Sequence, residues 1–356
     1  MVTAGGTGGH IFPALAVAEE MRRLGHLVLF AGSSGGPESS RAAAMGFDFF
    51  GVDVKGLDRR SALRSARSLF LLPRAVLRAR KAVSEFKADA VIGCGGYASA
   101  PSCIAAVLGG VPLFLLEQNV DPGLVTRRLA RRAEKVYASF AGTKERLGSG
   151  NVVVAGNPVR KEFSPPPPRD FNAPVRTLLV IGGSQGARSI NRAMTAALPS
   201  LSGMSIRICH QTGPKDVGEV RAAYSAWTPP PGTPSASVEP FFEDMAEKMR
   251  GAHLAVGRAG ASSCAELLIS GLPSILVPFP GAGGHQRHNA LALENFGAAT
   301  VMEDAGLDGG LLAGKIVELL RRPDVLGTMS SNAESHARPD AARFICSDVI
   351  STMGAD

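Results

Sequence analysis

The chain of 356 residues is too long for one comfortable hydrophobic core and divides most naturally into two domains, while its 45% hydrophobic content excludes a disordered chain. Five cysteines (Cys94, Cys103, Cys209, Cys264 and Cys346) are scattered, odd in number and never at CxxC spacing, which argues against a disulfide framework or a zinc site and for a reducing compartment. The net charge of +7 is uneven: residues 1–163 carry 22 Lys/Arg against 13 Asp/Glu and the remainder 16 against 18, so an anionic partner is expected for the first half only.

Residues 2–4, the run GGTGGH and residues 11–24 read as strand, glycine loop and helix, with Pro13 near the helix start and Gly25 after its end. No secretory signal precedes Gly5, and Met1 lies so close to the loop that the first strand is expected to be short or trimmed. The loop is not GxGxxG and no GxxxxGK[ST] occurs, so the dinucleotide and P-loop fingerprints are both absent. Gly5, Gly6, Gly8 and Gly9 allow close approach of backbone to a ligand, and His10 stands at the helix start beside them. A histidine there is either a helix cap or a general base, since its ordinary pKa lies near working pH.

The segment from Arg59 to Lys81 holds eight basic residues and no acid, interleaved with Leu63, Leu69, Phe70, Leu71, Leu72, Val76 and Leu77. This composition at helical spacing suits an interfacial helix on an anionic membrane surface; the alternative is a core helix with a solvated basic rim. Nucleic acid is the poorer partner, because stacking aromatics make up only 6% of the chain. A second basic cluster (Arg127, Arg128, Arg131, Arg132, Lys135) strengthens the membrane reading. Between Asp89 and Glu117 there is no charge, but five glycines with Pro101 and Pro112 cut the stretch into strand, loop, short helix and strand, so no membrane span is expected. Its second loop is GCGGYASAP, and its last strand delivers Glu117, Gln118 and Asn119 to the carboxyl edge where open α/β sheets bind ligands. Asn119 is the ligand candidate there and Glu117 a hydrogen-bond anchor.

GNPVRKEF followed by four consecutive prolines (Pro165 to Pro168) marks a stiff, extended linker, and the domains are placed at 1–158 and 159–339. The second domain repeats the grammar, with a strand at 177–181, the loop GGSQGAR and a helix at 190–198, where Ser184 and neighbouring amides form a helix-terminal anion site. In VEPFFEDM, the pair Phe241–Phe242 either lies against a flat ring or fills the core. Residues 254–280 then give strand, glycine turn, helix and strand. Ser263 and Glu266 stand at capping-box spacing, and Gly271 with Pro273 stops the helix. In a nucleotide site Glu266 would also accept bonds from ribose hydroxyls. Gln286 and Asn289 are amides suited to reading sugar hydroxyls, and a last helix at 340–353, within a segment 340–356, is expected to pack back on the first domain.

Two doubly wound, Rossmann-like α/β domains with glycine loops at their strand ends imply a deep cleft with one ligand per side. Neither half carries a convincing acid pair, a metal-ligand cluster or a nucleophile elbow, so no metal or cofactor is expected. Chemistry needing positioning, one base and anion-stabilising backbone fits best, and glycosyl transfer from a nucleotide sugar is of that kind.

GGTGGHIFPALA, GCGGYASAP, EQN, GNPVR, GGSQGAR, VEPFFEDM, GRAGASSCAELLISGLPSILVPFP and HQRHNA, in this order across roughly residues 3–300, resemble the MurG family of peptidoglycan glycosyltransferases. The resemblance implies a GT-B fold and an inverting transfer of N-acetylglucosamine (GlcNAc) from UDP-GlcNAc to undecaprenyl-diphospho-muramoyl-pentapeptide, on the inner face of the cytoplasmic membrane as a peripheral protein. It implies Thr7, Gly8 and Gly9 facing the donor sugar or acceptor diphosphate, His10 as base, and Asn119 and Gln286 reading GlcNAc. It further implies Arg160 and Ser184 on the nucleotide, the Phe242 backbone on uracil, the run Ala261, Ser262, Ser263, Cys264 and Ala265 around the diphosphate, and Glu266 on the ribose. The family's usual His before EQN is Leu116 here, and the commonly acidic loop before HQ reads GAGG. A GT-B enzyme with another lipid acceptor, a UDP-GlcNAc 2-epimerase of similar fold and a catalytically silent sugar-nucleotide binder are the rival readings. An epimerase needs carboxylates around the sugar, and the loops of the first domain offer only Glu117.

Overall fold

The computed structural model describes the chain apart from Thr7, residues 54–61, Ser184, Ser235, residues 282–283 and 355–356, and the side chains of residues 62–70. It resolves into two compact units, Met1–Lys161 with Arg338–Asp356, and Glu162–Ala337.

The first unit alternates strand and helix: β1 (Val2–Thr3), α1 (Gly8–Arg23), β2 (Leu29–Ser33), α2 (Pro37–Ala44), β3 (Asp48–Val52), α3 (Ala62–Glu85), β4 (Val91–Gly93), α4 (Ala100–Gly109), β5 (Leu113–Glu117), α5 (Leu124–Leu129), β6 (Lys135–Ala138), α6 (Ala141–Leu147) and β7 (Val152–Val154). Its seven strands are parallel in the order β3-β2-β1-β4-β5-β6-β7, so the order reverses between β1 and β4. Such sheets bury both faces, which is why β5 reads as an unbroken apolar run ending in a carboxylate. In α1 the 3.6-residue period brings Ile11, Ala14, Leu15 and Ala18 onto one face against Phe30, Ile92 and Phe114. Leu116 is buried in the same core.

The second unit continues with β8 (Arg176–Ile181), α7 (Arg188–Leu201), β9 (Ile206–Gln211), α8 (Val217–Ser225), β10 (Ser237–Glu239), α9 (Met245–Gly251), β11 (Leu254–Gly257), α10 (Ala261–Ile269), β12 (Ser274–Leu276), α11 (His285–Asn295), β13 (Ala299–Val301), α12 (Gly309–Leu320) and α13 (Pro323–His336). Six parallel strands run β10-β9-β8-β11-β12-β13, with the reversal between β8 and β11. Ile190, Met194, Ala197 and Leu201 of α7 pack with Leu312 and Ile316 of α12 over Leu178 and Val180. Arg169, just beyond the prolines, donates to the carbonyls of Gly271, Met249 and Ser270, capping the ends of α9 and α10.

The last helix, α14 (Ala341–Thr352), belongs to the first unit. It buries Ile345 and Val349 against the α1 side of the core, and Asp348 accepts from Lys135 Nζ at 2.9 Å and Tyr137 OH at 2.7 Å.

Two local readings need correction. The Ser263 and Glu266 spacing is not a capping box: α10 begins at Ala261 after an extended Gly260, without a side-chain cap, and Glu266 lies buried inside the helix. Burial of Ala261, Cys264, Leu267 and Leu268 sets that earlier start. Likewise α1 begins at Gly8, so His10 lies in its first turn and Pro13 in its second.

Candidate active site

In the first unit the loops after β1, β4 and β5 meet beside the strand-order reversal, the place where such sheets bind ligands. Glycine makes the meeting possible. A Cβ at Gly96, whose φ is +77°, would stand 1.7 Å from the Gly5 carbonyl oxygen, and one at Gly95 would stand 2.8 Å from His10 Nδ1. His10 Nδ1 lies 2.9 Å from Gln118 Oε1, while Gln118 Nε2 donates to the Cys94 carbonyl at 3.0 Å. The second bond orients the amide, so its oxygen faces the histidine. In the neutral imidazole Nδ1 therefore carries the proton, and Nε2 keeps its lone pair. This is the tautomer of a general base.

Glu117 is an anchor: its carboxylate accepts the backbone amides of Asn119 at 3.1 Å and Gly123 at 2.9 Å, holding the loop that carries Asn119 to the same edge. Gly8 and Gly9 open α1, whose first turn has no acid, and its positive end faces the loop. Arg160 also belongs to this unit, its guanidinium 5.1 Å from the Phe12 ring centre. Thr7 lies outside the described residues.

In the second unit α7 and α10 start beside the second reversal. Ser184 lies outside the described residues. The amides of Ala261, Ser262 and Ser263 precede the first intrahelical bond of α10, from Cys264 N to the Gly260 carbonyl at 2.9 Å. Cys264 thus has its amide engaged, and burial pushes its thiol up to about 12, so its side chain belongs to the core. Ala265 follows within the helix, and Glu266 is 8% exposed one turn further on.

Phe242 is buried, and its amide donates to Gln211 Oε1 at 2.9 Å, whereas Phe241 is the exposed member of the pair. Gln286 is half-buried, its Oε1 accepting the Phe279 amide at 3.0 Å. Asn289 is fully buried, donates to the Ala259 carbonyl at 3.2 Å and braces the turn before α10.

Two clusters were not singled out from sequence. Arg258 donates to Asp304 at 2.6 Å, to Ser189 Oγ at 2.8 Å and to the Val277 carbonyl at 3.0 Å, tying the first turn of α7 to the strand ends beside α10. His210 sits between Tyr224 OH and Asn191 Oδ1, each at 3.0 Å, while Asn191 Nδ2 bonds the Thr212 carbonyl at 2.9 Å. That network steadies the loop whose Gly213 abuts Gly186 of the glycine loop.

The glycosyltransferase family 28 N-terminal domain matches residues 1–138, and the family's C-terminal domain matches residues 177–345. A UDP-N-acetylglucosamine--N-acetylmuramyl-(pentapeptide) pyrophosphoryl-undecaprenol N-acetylglucosamine transferase of Syntrophus aciditrophicus is 39% identical, covering 100% of this chain and 98% of its own. The transferase of the same name from Acidithiobacillus ferrooxidans is 40% identical over 99% of this chain and 98% of its own. The crystal structure of Acinetobacter baumannii MurG superposes with a TM-score of 0.81 at 30% identity, over 99% and 98% of the two chains. A Neisseria meningitidis UDP-GlcNAc 2-epimerase reaches a TM-score of 0.67 at 12% identity, a likeness of fold alone.

Two parallel-sheet units with glycine loops at their carboxyl edges are thus the architecture of a GT-B glycosyltransferase. Within that class the chain belongs to glycosyltransferase family 28, and there to the MurG group of N-acetylglucosamine transferases.

Proposed function

We propose that this enzyme transfers GlcNAc from UDP-GlcNAc to the muramoyl 4-hydroxyl of undecaprenyl-diphospho-muramoyl-pentapeptide, a step of peptidoglycan synthesis. The observation that carries the reading is the fixed His10 tautomer at the glycine-loop edge, in a chain 39% identical to a transferase named for this reaction. The acceptor hydroxyl loses its proton to His10 Nε2 as its oxygen attacks the anomeric carbon. The bond from that carbon to the diphosphate breaks on the opposite face, UDP departs, and configuration inverts. The leaving diphosphate carries the developing charge, which the amino ends of α7 and α10 stabilise.

In this reading Thr7, Gly8 and Gly9 take the acceptor diphosphate or donor sugar, and Asn119 and Gln286 contact GlcNAc. Arg160 and Ser184 meet the nucleotide, and Phe242 offers its backbone carbonyl to uracil. The amino end of α10 at Ala261, Ser262 and Ser263 lines the diphosphate, and Glu266 accepts from the ribose hydroxyls.

The enzyme works as a peripheral protein on the cytoplasmic face of the inner membrane, without a nucleic-acid partner. No helix among the described residues is long and apolar enough to cross a membrane. The support for surface attachment is α3, which exposes Arg74, Arg80 and Lys81 around a Leu77 that is 66% exposed. Arg59 and Arg60 of the same basic segment lie outside the described residues, as do the side chains of Arg64 and Arg67.

Transfer of radiolabel from UDP-GlcNAc to a short-chain acceptor analogue, with UDP release followed in parallel, tests the reading. Labelled disaccharide lipid with matching UDP is expected. Donor binding without transfer to this acceptor would overturn the acceptor assignment.

A further inference from the structure

Beside the α1 glycine loop, α2 carries a cation without an evident structural task. The Arg41 guanidinium lies 4.5 Å from the centre of the Phe12 ring, and Arg160 approaches the same ring at 5.1 Å. Among the described residues the Arg41 side chain makes no ion pair and no hydrogen bond besides this ring contact. The nearest acid along the helix, Glu38, does not serve it: that side chain is fully buried and turned inward, accepting the Ser33 amide at 2.7 Å. The ring itself is held under the start of α1, where a Cβ on Gly8 would stand 3.1 Å from Phe12 Cε2.

The Arg41 guanidinium stands close to the positive end of α1, and the two fields favour an anion at the same corner. Cation–π contact fixes the plane of a guanidinium while leaving its N–H fork available, and that fork matches phosphate oxygens two at a time. An anion at this corner would meet a donor fork already aligned. Resting on the reading above, we propose that Arg41, splinted by Phe12, binds the diphosphate of the lipid-linked acceptor and sets affinity for that substrate. The shared chemistry is a diphosphate, which donor and acceptor both possess; the proximity of Arg41 to the α1 loop favours the acceptor.

The test compares Arg41→Met and Arg41→Lys with the unaltered enzyme. With a short-chain acceptor analogue, Arg41→Met is expected to raise the acceptor KM about tenfold, with kcat and the UDP-GlcNAc KM within about twofold. Arg41→Lys, which keeps the charge and loses the planar fork, falls between. An unchanged acceptor KM, or a rise in donor KM instead, overturns the proposal. Titration of the free protein with inorganic pyrophosphate needs no turnover. Binding weakened about tenfold in Arg41→Met supports the site even if transfer to this acceptor fails, whereas equal affinity in both proteins removes it. Failure of transfer in the unaltered enzyme would count against the functional reading alone.

Discussion

At the residue scale the site turns on a histidine whose proton is placed by a neighbour 108 positions away. His10→Ala is expected to lower kcat by about 10²–10⁴ with little change in UDP-GlcNAc affinity, and Gln118→Leu to lower it less by releasing the ring. Steady-state kinetics beside donor titration check both, and equal losses in affinity and turnover would remove the base role. His10 was legible because it follows a run with four glycines; Gln118 was not, since only the strand order β1-β4-β5 brings it to the histidine. Burial pushes His210 down from 6.5 to about 3, so it is neutral in the fold. Below pH 6.5 the unfolded chain takes up a proton that the folded one refuses, so stability falls with pH between those two values. Urea unfolding of the second unit should show a loss of about 2 kcal/mol from pH 6.5 to pH 5, and His210→Gln should flatten that slope.

At the scale of elements, strands, glycine loops and helices stood out from sequence because period and punctuation agree in an ordered βα repeat. Helix starts did not. Ser263 and Glu266 imitate a cap, yet the buried positions Ala261 and Cys264 pull the start of α10 forward, a tertiary effect that local spacing cannot carry. The Arg258, Asp304 and Ser189 cluster was equally hidden, its members being 46 to 115 residues apart. The contact of the two loops in the first unit is a sharper constraint. Gly96→Ala must place a Cβ against the Gly5 carbonyl from a positive φ, so it should destabilise the unit by about 2–4 kcal/mol and reduce transfer together with stability. Gly110→Ala, at a φ of +69° with nothing near its Cβ, carries only the backbone strain. Thermal unfolding of the two variants separates collision from strain; equal losses would show that the loops yield.

For the molecule as a whole, the excess of basic residues in the first 163 positions was plain in composition, and α3 displays part of it outward. Charge reversal at Arg74 and Lys81 should weaken sedimentation with anionic vesicles several-fold at low salt and much less at high salt. Neutral vesicles should not distinguish the variants. Binding unaffected by the reversal would return α3 to an ordinary solvated helix. Composition identified the basic half but not which residues face outward, because that depends on Ala75 packing with Val52 and Ala98, and Val76 and Ala79 with Ala105.

The return of α14 to the first unit also has a bearing on synthesis. Ile345 and Val349 emerge from the ribosome only after all of Glu162–Ala337, so the core they complete stays open while the intervening unit, continuous in sequence, is made. At about 5–20 residues per second that interval is roughly 10–35 s, during which the face of α1 destined for α14 is exposed to chaperones and to other nascent chains. A premature stop ahead of Ile345 would therefore injure the half of the enzyme translated before Glu162.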